Sequence, residues 1–315
     1  MNESGSVDPF VRYLEAKKSI DDRSLNDRVW RALATELARF APARGLDALE
    51  LGCGIGTMLE RALERGLFGG VSRVEYTLVD ASAELLAAGR QRLPGWSSRL
   101  GLTLEMARDH DRLQLADGLL QAHWVAADAF DLAAEPARAG AYDLLLAHAF
   151  LDLVDARHAL QAFLPLLRRG GAFYFSLVFD GITHFEPGLE PELDSLIERL
   201  YHETMDRRLV DGRPSGHSRT GRRLLTLLPE AGGQILEAAG SDWVVIPRGG
   251  GYLPEESALL DHLLTTIQQA LADHPQLDRR DLERWVERRR AQLARGELSY
   301  LAHQLDLFGR YMPNE

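Results

Sequence analysis

Glu50 and Asp80 each close an apolar run, and between them Gly52-Cys53-Gly54-Ile55-Gly56 turns the first run into a helical pattern. Residues 46–51 read as a buried strand. Residues 57–65 read as a helix with Met58, Leu59, Ala62 and Leu63 on one face. Glycine tolerates positive φ and lacks the Cβ that keeps a ligand off the backbone, so this turn lets a small molecule lie against the main chain. Free N–H groups at the helix start point at that molecule. Residues 74–79 form a second apolar run ending in Asp80, and Ala81-Ser82 lead into an amphipathic helix. In an open α/β sheet, ligands bind outside the carboxyl ends of strands. Both acids therefore face one crevice. A carboxylate at the second strand end can accept hydrogen bonds from a ribose diol, and an acid at the first turn suits a cation better than a phosphate. The third glycine comes one residue earlier than in the dinucleotide fingerprint Gly-x-Gly-x-x-Gly.

Five segments in this order resemble the class I S-adenosylmethionine-dependent methyltransferases. Leu49-Glu50-Leu51-Gly52-Cys53-Gly54-Ile55-Gly56 is similar to that family's first motif, and Leu78-Val79-Asp80-Ala81-Ser82 to its second. Val125-Ala126-Ala127-Asp128-Ala129-Phe130 is similar to the third, whose acid meets the adenine amino group. Tyr142-Asp143-Leu144-Leu145-Leu146-Ala147-His148-Ala149-Phe150 resembles the strand whose end lines the methyl-transfer site. Residues 167–176 resemble the helix end, glycine turn and fifth strand that follow. The resemblance implies S-adenosyl-L-methionine as cofactor. It implies a site from Glu50, Gly52, Cys53, Gly54, Gly56, Asp80, Ala81, Ser82, Asp128, Ala129 and His148. It also implies a Rossmann-like α/β fold: a seven-stranded sheet with helices on both faces and an antiparallel last strand.

Around that core, residues 1–45 read as an N-terminal helical cap and 46–181 as the cofactor-binding core. Residues 182–220 read as a loop and cap helix, 221–251 as a core helix and sixth strand, 252–297 as a helical insertion and 298–315 as the last strand. Within these, 179–187 is expected to be a loop, 221–239 a helix and 242–247 the sixth strand. Residues 102–107 and 112–115 suggest an inserted hairpin with Asp109-His110-Asp111 as an ordinary turn, not a metal site. The second N-terminal helix has Ser24 or Asp22 as candidate caps. The insertion is either a substrate cap or a dimer surface, since Leu259, Leu260, Leu263, Leu264 and Ile267 could pack on a partner. Monomer and homodimer both stay open.

A folded-over cap would make Tyr13, Arg23 and Asn26 pocket residues, with His184, Tyr201, His202 and His217 from the later segment. His148 is the candidate base, because histidine titrates near pH 6.5; its alternative role is to cover the cofactor. Cys53, with no companion base in the turn, reads as a small packed side chain instead of a nucleophile. His303 reads as structural.

The net charge of -11 speaks against a general affinity for nucleic-acid phosphates. No apolar run is long enough for a transmembrane helix. The polar start and the single cysteine fit a cytoplasmic protein. These features suit methyl transfer to an O or N atom of a small molecule. A non-catalytic cofactor-binding sensor or scaffold and an NAD(P)-dependent oxidoreductase are the alternatives.

Overall fold

The computed structural model describes residues 9–40, 45–210 and 212–313. The polar start, the 41–44 link and position 211 lie outside the described residues. Two helices come first, α1 (Pro9–Ser24) and α2 (Asp27–Phe40), followed by β1 (Leu46–Leu51), α3 (Thr57–Glu64), β2 (Arg73–Asp80) and α4 (Ala83–Arg99). The hairpin β3 (Thr103–Met106) and β4 (Asp111–Gln114) precedes β5 (Leu119–Ala126), α5 (Ala129–Ala133), β6 (Tyr142–His148), α6 (Ala156–Phe163) and β7 (Leu167–Glu186). Then come α7 (Pro191–Asp206), the short pair β8 (Leu209–Val210) and β9 (Arg213–Pro214), α8 (Thr220–Glu230), β10 (Gly233–Gly240) and β11 (Trp243–Val245). The last elements are α9 (Pro254–Leu271), α10 (Arg279–Ala294) and β12 (Ser299–Tyr311).

The strands run β10-β12-β7-β6-β1-β2-β5-β4-β3, with β11 also on β12. From β7 to β5 all pairs are parallel, and β12 lies antiparallel between β7 and β10. The expected seven-stranded sheet is therefore present inside a ten-stranded one, enlarged by the β3/β4 hairpin and β11. Central β6 is buried at every position, as a strand covered on both faces must be.

Three local expectations are corrected. The sixth strand is β10, not residues 242–247, because α8 stops before Gly232 at φ 83° and pairing to β12 takes the stretch whose composition favours helix. Residues 179–186 are strand, not loop: Thr183 pairs with Ala302 and Phe185 with Tyr300. Their alternation shows why, since Thr183 and Phe185 are buried while Ile182 is exposed. Asn26, not Ser24 or Asp22, caps α2, its Oδ1 accepting from the amides of Arg28 and Val29.

The inserted helices pack onto their own chain. Leu259, Leu260, Leu264 and Ile267 are at most 1% exposed and Leu263 is 8% exposed, so this apolar face is not offered to a partner. Asp111, expected in a turn, is buried in β4 and accepts both Arg90 Nε at 2.8 Å and Trp124 Nε1 at 3.1 Å.

Candidate active site

Gly52, Gly54 and Gly56 have φ of 65°, 54° and 73°, the left-handed region in which a side chain is strained. A Cβ on Gly52 would lie 2.3 Å from the Phe150 ring, and one on Gly56 would lie 2.8 Å from Trp124. Only Gly54 is open, its added Cβ reaching nothing nearer than Leu14 at 3.5 Å. The turn is pinned from behind. The Cys53 amide donates to Val79 O at 3.0 Å, and the Gly54 amide to Asp80 Oδ2 at 2.8 Å. Gly89 of α4 lets that helix press on Ile55, where a Cβ would meet backbone at 2.8 Å.

The acids divide their work. Asp80 accepts from the Ser82 amide through Oδ1 at 2.9 Å and holds Gly54 with Oδ2, yet stays partly accessible. Ser82 Oγ caps α4 through the Leu85 amide at 3.1 Å. Asp128 caps α5 through the amides of Phe130 and Asp131. Glu50 is buried and accepts the Tyr76 hydroxyl at 2.7 Å; burial pushes its carboxyl up to about 8. Cys53 is buried and its thiol is pushed well up by burial, then by Glu50 and Asp80. It remains a thiol and packs as one.

His148 ends β6 with both ring nitrogens engaged, Nδ1 with Ser176 Oγ at 2.8 Å and Nε2 with Asp21 Oδ2 at 3.1 Å. Burial and the neighbouring Arg61 guanidinium hold it down to about 4. A ring so engaged binds a proton only weakly at neutral pH in the ligand-free protein. Its partner Asp21, on α1, also accepts Lys17 Nζ at 2.8 Å and Trp243 Nε1 at 3.0 Å. Burial raises the Asp21 carboxyl, but Lys17, His148 and Arg61 together carry it well below the usual range. Arg61, fully buried on α3, adds Asp22 at 2.5 Å. This network fastens α1 across the carboxyl ends of the strands.

The resulting cavity is about 870 Å³, toward the upper part of the roughly 300–1,000 Å³ of small-molecule sites. Glu50, Gly52, Cys53, Gly54, Asp80, Ala81, Asp128, Ala129 and His148 line it, as do Tyr13, Tyr201 and His217. Gly56 and Ser82 stand behind the wall. Arg23 is turned to Glu256 at 2.7 Å and Asn26 to the carbonyl of Gly240 at 2.9 Å, both outside the lining. His184 faces Glu186 and Glu198, and His202 bonds Thr183 Oγ1 at 3.1 Å; neither lines the cavity. His303 bonds Asp242 at 2.7 Å. Sequence reasoning missed Lys17, Asp21, Asp152, Arg208, His262 and Gln304, which also line it. Of these only Asp152 carried a signal, its place just after the fourth parallel strand's motif.

Residues 49–173 match a family model described as a methyltransferase domain. No curated protein matches the chain. Among solved structures, the YcgJ protein of Bacillus subtilis is similar at 13% identity and TM-score 0.45, over 90% of this chain and 99% of that one. A putative sarcosine dimethylglycine methyltransferase from Galdieria sulphuraria is 16% identical, with TM-score 0.41 over 90% and 86%. Geranyl diphosphate C-methyltransferase from Streptomyces coelicolor is 14% identical, with TM-score 0.39 over 90% and 80%. Likeness at this level adds no weight to what the domain match and strand order carry. That match lies on the glycine turn, the paired acids and the parallel sheet, so residues 49–173 carry a methyltransferase domain on a Rossmann-like sheet.

Proposed function

We propose that this enzyme methylates an O or N atom of a small molecule held under a cap made by α1, α7 and α9. One observation carries the reading: a single cavity joins the glycine turn, Asp80 and Asp128 to Tyr13, Tyr201 and His262 on those helices. Its core end fits the cofactor. Asp80 keeps lone pairs for a ribose diol, the Gly54 backbone is open to close approach, and a nearby cation would favour the ionised form of Glu50. Gly52, Cys53, Ala81 and Ala129 would form the walls, while Gly56 and Ser82 hold the turn and α4 in place.

When bound, S-adenosyl-L-methionine supplies a methyl group that is already electrophilic. The protein's own task is alignment, which can be worth about 7–11 kcal/mol of the barrier. Phe150 blocks the back of the turn and His148, with Ser176 and Asp21, fixes the floor. Tyr13 stacks on His262 with ring centroids 4.2 Å apart, closing the cap end against water. Tyr201 and His217 border the same space and are assigned to the acceptor.

Isothermal titration with S-adenosyl-L-methionine tests the core end, and absence of heat at millimolar ligand would sink it. Turnover is then sought by product detection across phenols, carboxylates and amines. Tight cofactor binding with no turnover on any of them would favour a sensor.

A further inference from the structure

Two buried oxygens on the cavity-lining residues have no hydrogen-bond partner among the described residues, Oδ1 of Asp152 and Oε1 of Gln304. Asp152 sits in the turn after β6, and Gln304, 5% exposed, on β12; β7 lies between those strands. An unpaired buried acceptor costs about 1–3 kcal/mol, and more when charged. Native proteins leave few such groups without a ligand or water to satisfy them.

Charge points the same way. Asp21, Glu50, Asp80, Asp128 and Asp152 line the cavity against two permanent cations, Lys17 and Arg208. Glu50, Asp80 and Asp128 belong to the cofactor end, so beyond it Asp21 and Asp152 face Lys17 and Arg208. Lys17 is committed to Asp21 at 2.8 Å, and Arg208 gives Nε and Nη2 to the carbonyls of Ser215 and Leu153 at 2.8 and 2.9 Å. The lining histidines His148, His217 and His262 are all lowered, chiefly by burial, and add no countercharge at neutral pH. Tyr13, Tyr201, Trp243 and Tyr300 supply aromatic faces, which attract cations.

Resting on the reading that this cavity holds the methyl acceptor, we infer that the acceptor carries an amine, which pairs with Asp152, and a second polar group that meets Gln304. Asp152 sets the charge selected. Gln304, whose amide can turn over, sets only the second contact. A carboxylate or phosphate acceptor would meet Asp152 and be rejected.

The test titrates three probes calorimetrically into the full chain saturated with S-adenosylhomocysteine: benzylamine, neutral benzyl alcohol and anionic phenylacetate. Benzylamine is expected to bind at least about tenfold more tightly than the other two. Asp152→Asn should erase that preference while S-adenosylhomocysteine affinity and thermal midpoint are kept, and Gln304→Leu should weaken benzylamine by a smaller factor. Burial pushes the Asp152 carboxyl up to about 6, facing Lys17 and Tyr13 of α1 and Arg208 after α7, so benzylamine affinity should fall as pH drops through that value. Equal binding of phenylacetate or benzyl alcohol would overturn the inference, as would a preference surviving in Asp152→Asn. Silence of benzylamine at millimolar concentration while S-adenosylhomocysteine binds would overturn it too. If S-adenosylhomocysteine itself does not bind, the cofactor reading fails first. Should Asp152→Asn not fold, the wild-type ranking and its pH dependence decide alone.

Discussion

The two ends of the cavity are built differently. At the proposed cofactor end, Gly52, Gly54, Asp80 and Asp128 come from consecutive strand-to-helix turns, and their work is with backbone: amides of Gly54, Ser82, Phe130 and Asp131. At the proposed acceptor end, Tyr13, Asp152, Tyr201, His262 and Gln304 arrive as side chains from five separate elements. Backbone-built sites tolerate change in the rest of the protein, because the sheet itself sets them. Side-chain-built sites depend on how helices are fastened. The contrast is consistent with one cofactor chemistry being fitted to different acceptors by exchanging caps.

The largest effect expected on this contrast comes from Arg61→Ala. It removes the buried partner of Asp21 and Asp22 and should cost about 3–5 kcal/mol in denaturant unfolding. Benzylamine binding should fall more than S-adenosylhomocysteine binding, since α1 belongs to the acceptor end; equal losses at both ends would erase the distinction. Gly52→Val attacks the other end. Left-handed strain of about 1–2 kcal/mol adds to overpacking of about 1–3 kcal/mol against Phe150. Cofactor affinity should drop steeply in calorimetry while the cap stays folded by circular dichroism. Asp80→Ala comes next, with at least about tenfold weaker cofactor, as expected for one or two hydrogen bonds to a charged group. Wild-type affinity in that variant would mean the cofactor does not lie against Asp80.

Two further predictions concern protons. His148 is held down to about 4 against an ordinary 6.5, so the unfolded chain binds the extra proton first. Stability should therefore fall as pH drops from about 6.5 toward 4, by up to about 1.4 kcal/mol per unit, and His148→Asn should flatten that slope in urea titrations. Glu50 has the opposite sign. Its carboxyl is raised to about 8, so stability is lost as pH rises from 4.5 toward 8, and Glu50→Gln should stabilise the ligand-free protein there while weakening cofactor binding. Smallest of all is Cys53→Ala, with a cost of about 1 kcal/mol for a small packed group and turnover kept within a few-fold. Loss of turnover with intact binding would instead give Cys53 a chemical role.

Much of the sheet was legible. Apolar runs ending in acids located β1 and β2, because strands buried on both faces have to be apolar, while the resemblance to the family's third and fourth motifs located β5 and β6. The β3/β4 hairpin was legible from alternation alone. Legibility failed at the antiparallel side. Residues 233–240 contain Leu236, Glu237, Ala238 and Ala239, good helix formers, and only pairing to β12 makes them a strand. Residues 182–186 hold a period-2 pattern obscured by Gly181 before them and Pro187 after. Among the site residues, Tyr13, Tyr201 and His217 reach the cavity while Arg23 and Asn26 do not. Helical spacing gives a face, but not what that face meets.

The sequence by itself determined the cofactor end: a glycine turn needing positive φ, an acid at each successive strand end, and the caps on α4 and α5. Those features are local, enforced by sterics and hydrogen bonds within a few residues of each motif. Only the tertiary structure decided the acceptor end. Asp152 and Gln304 are 152 positions apart in the chain and meet one cavity because β7 pairs with both β12, which carries Gln304, and β6, which leads into the turn of Asp152. It also decided that His148 anchors a helix. A histidine's chemistry is set by what surrounds it, and Asp21 and Arg61 are brought to its ring only by the fold.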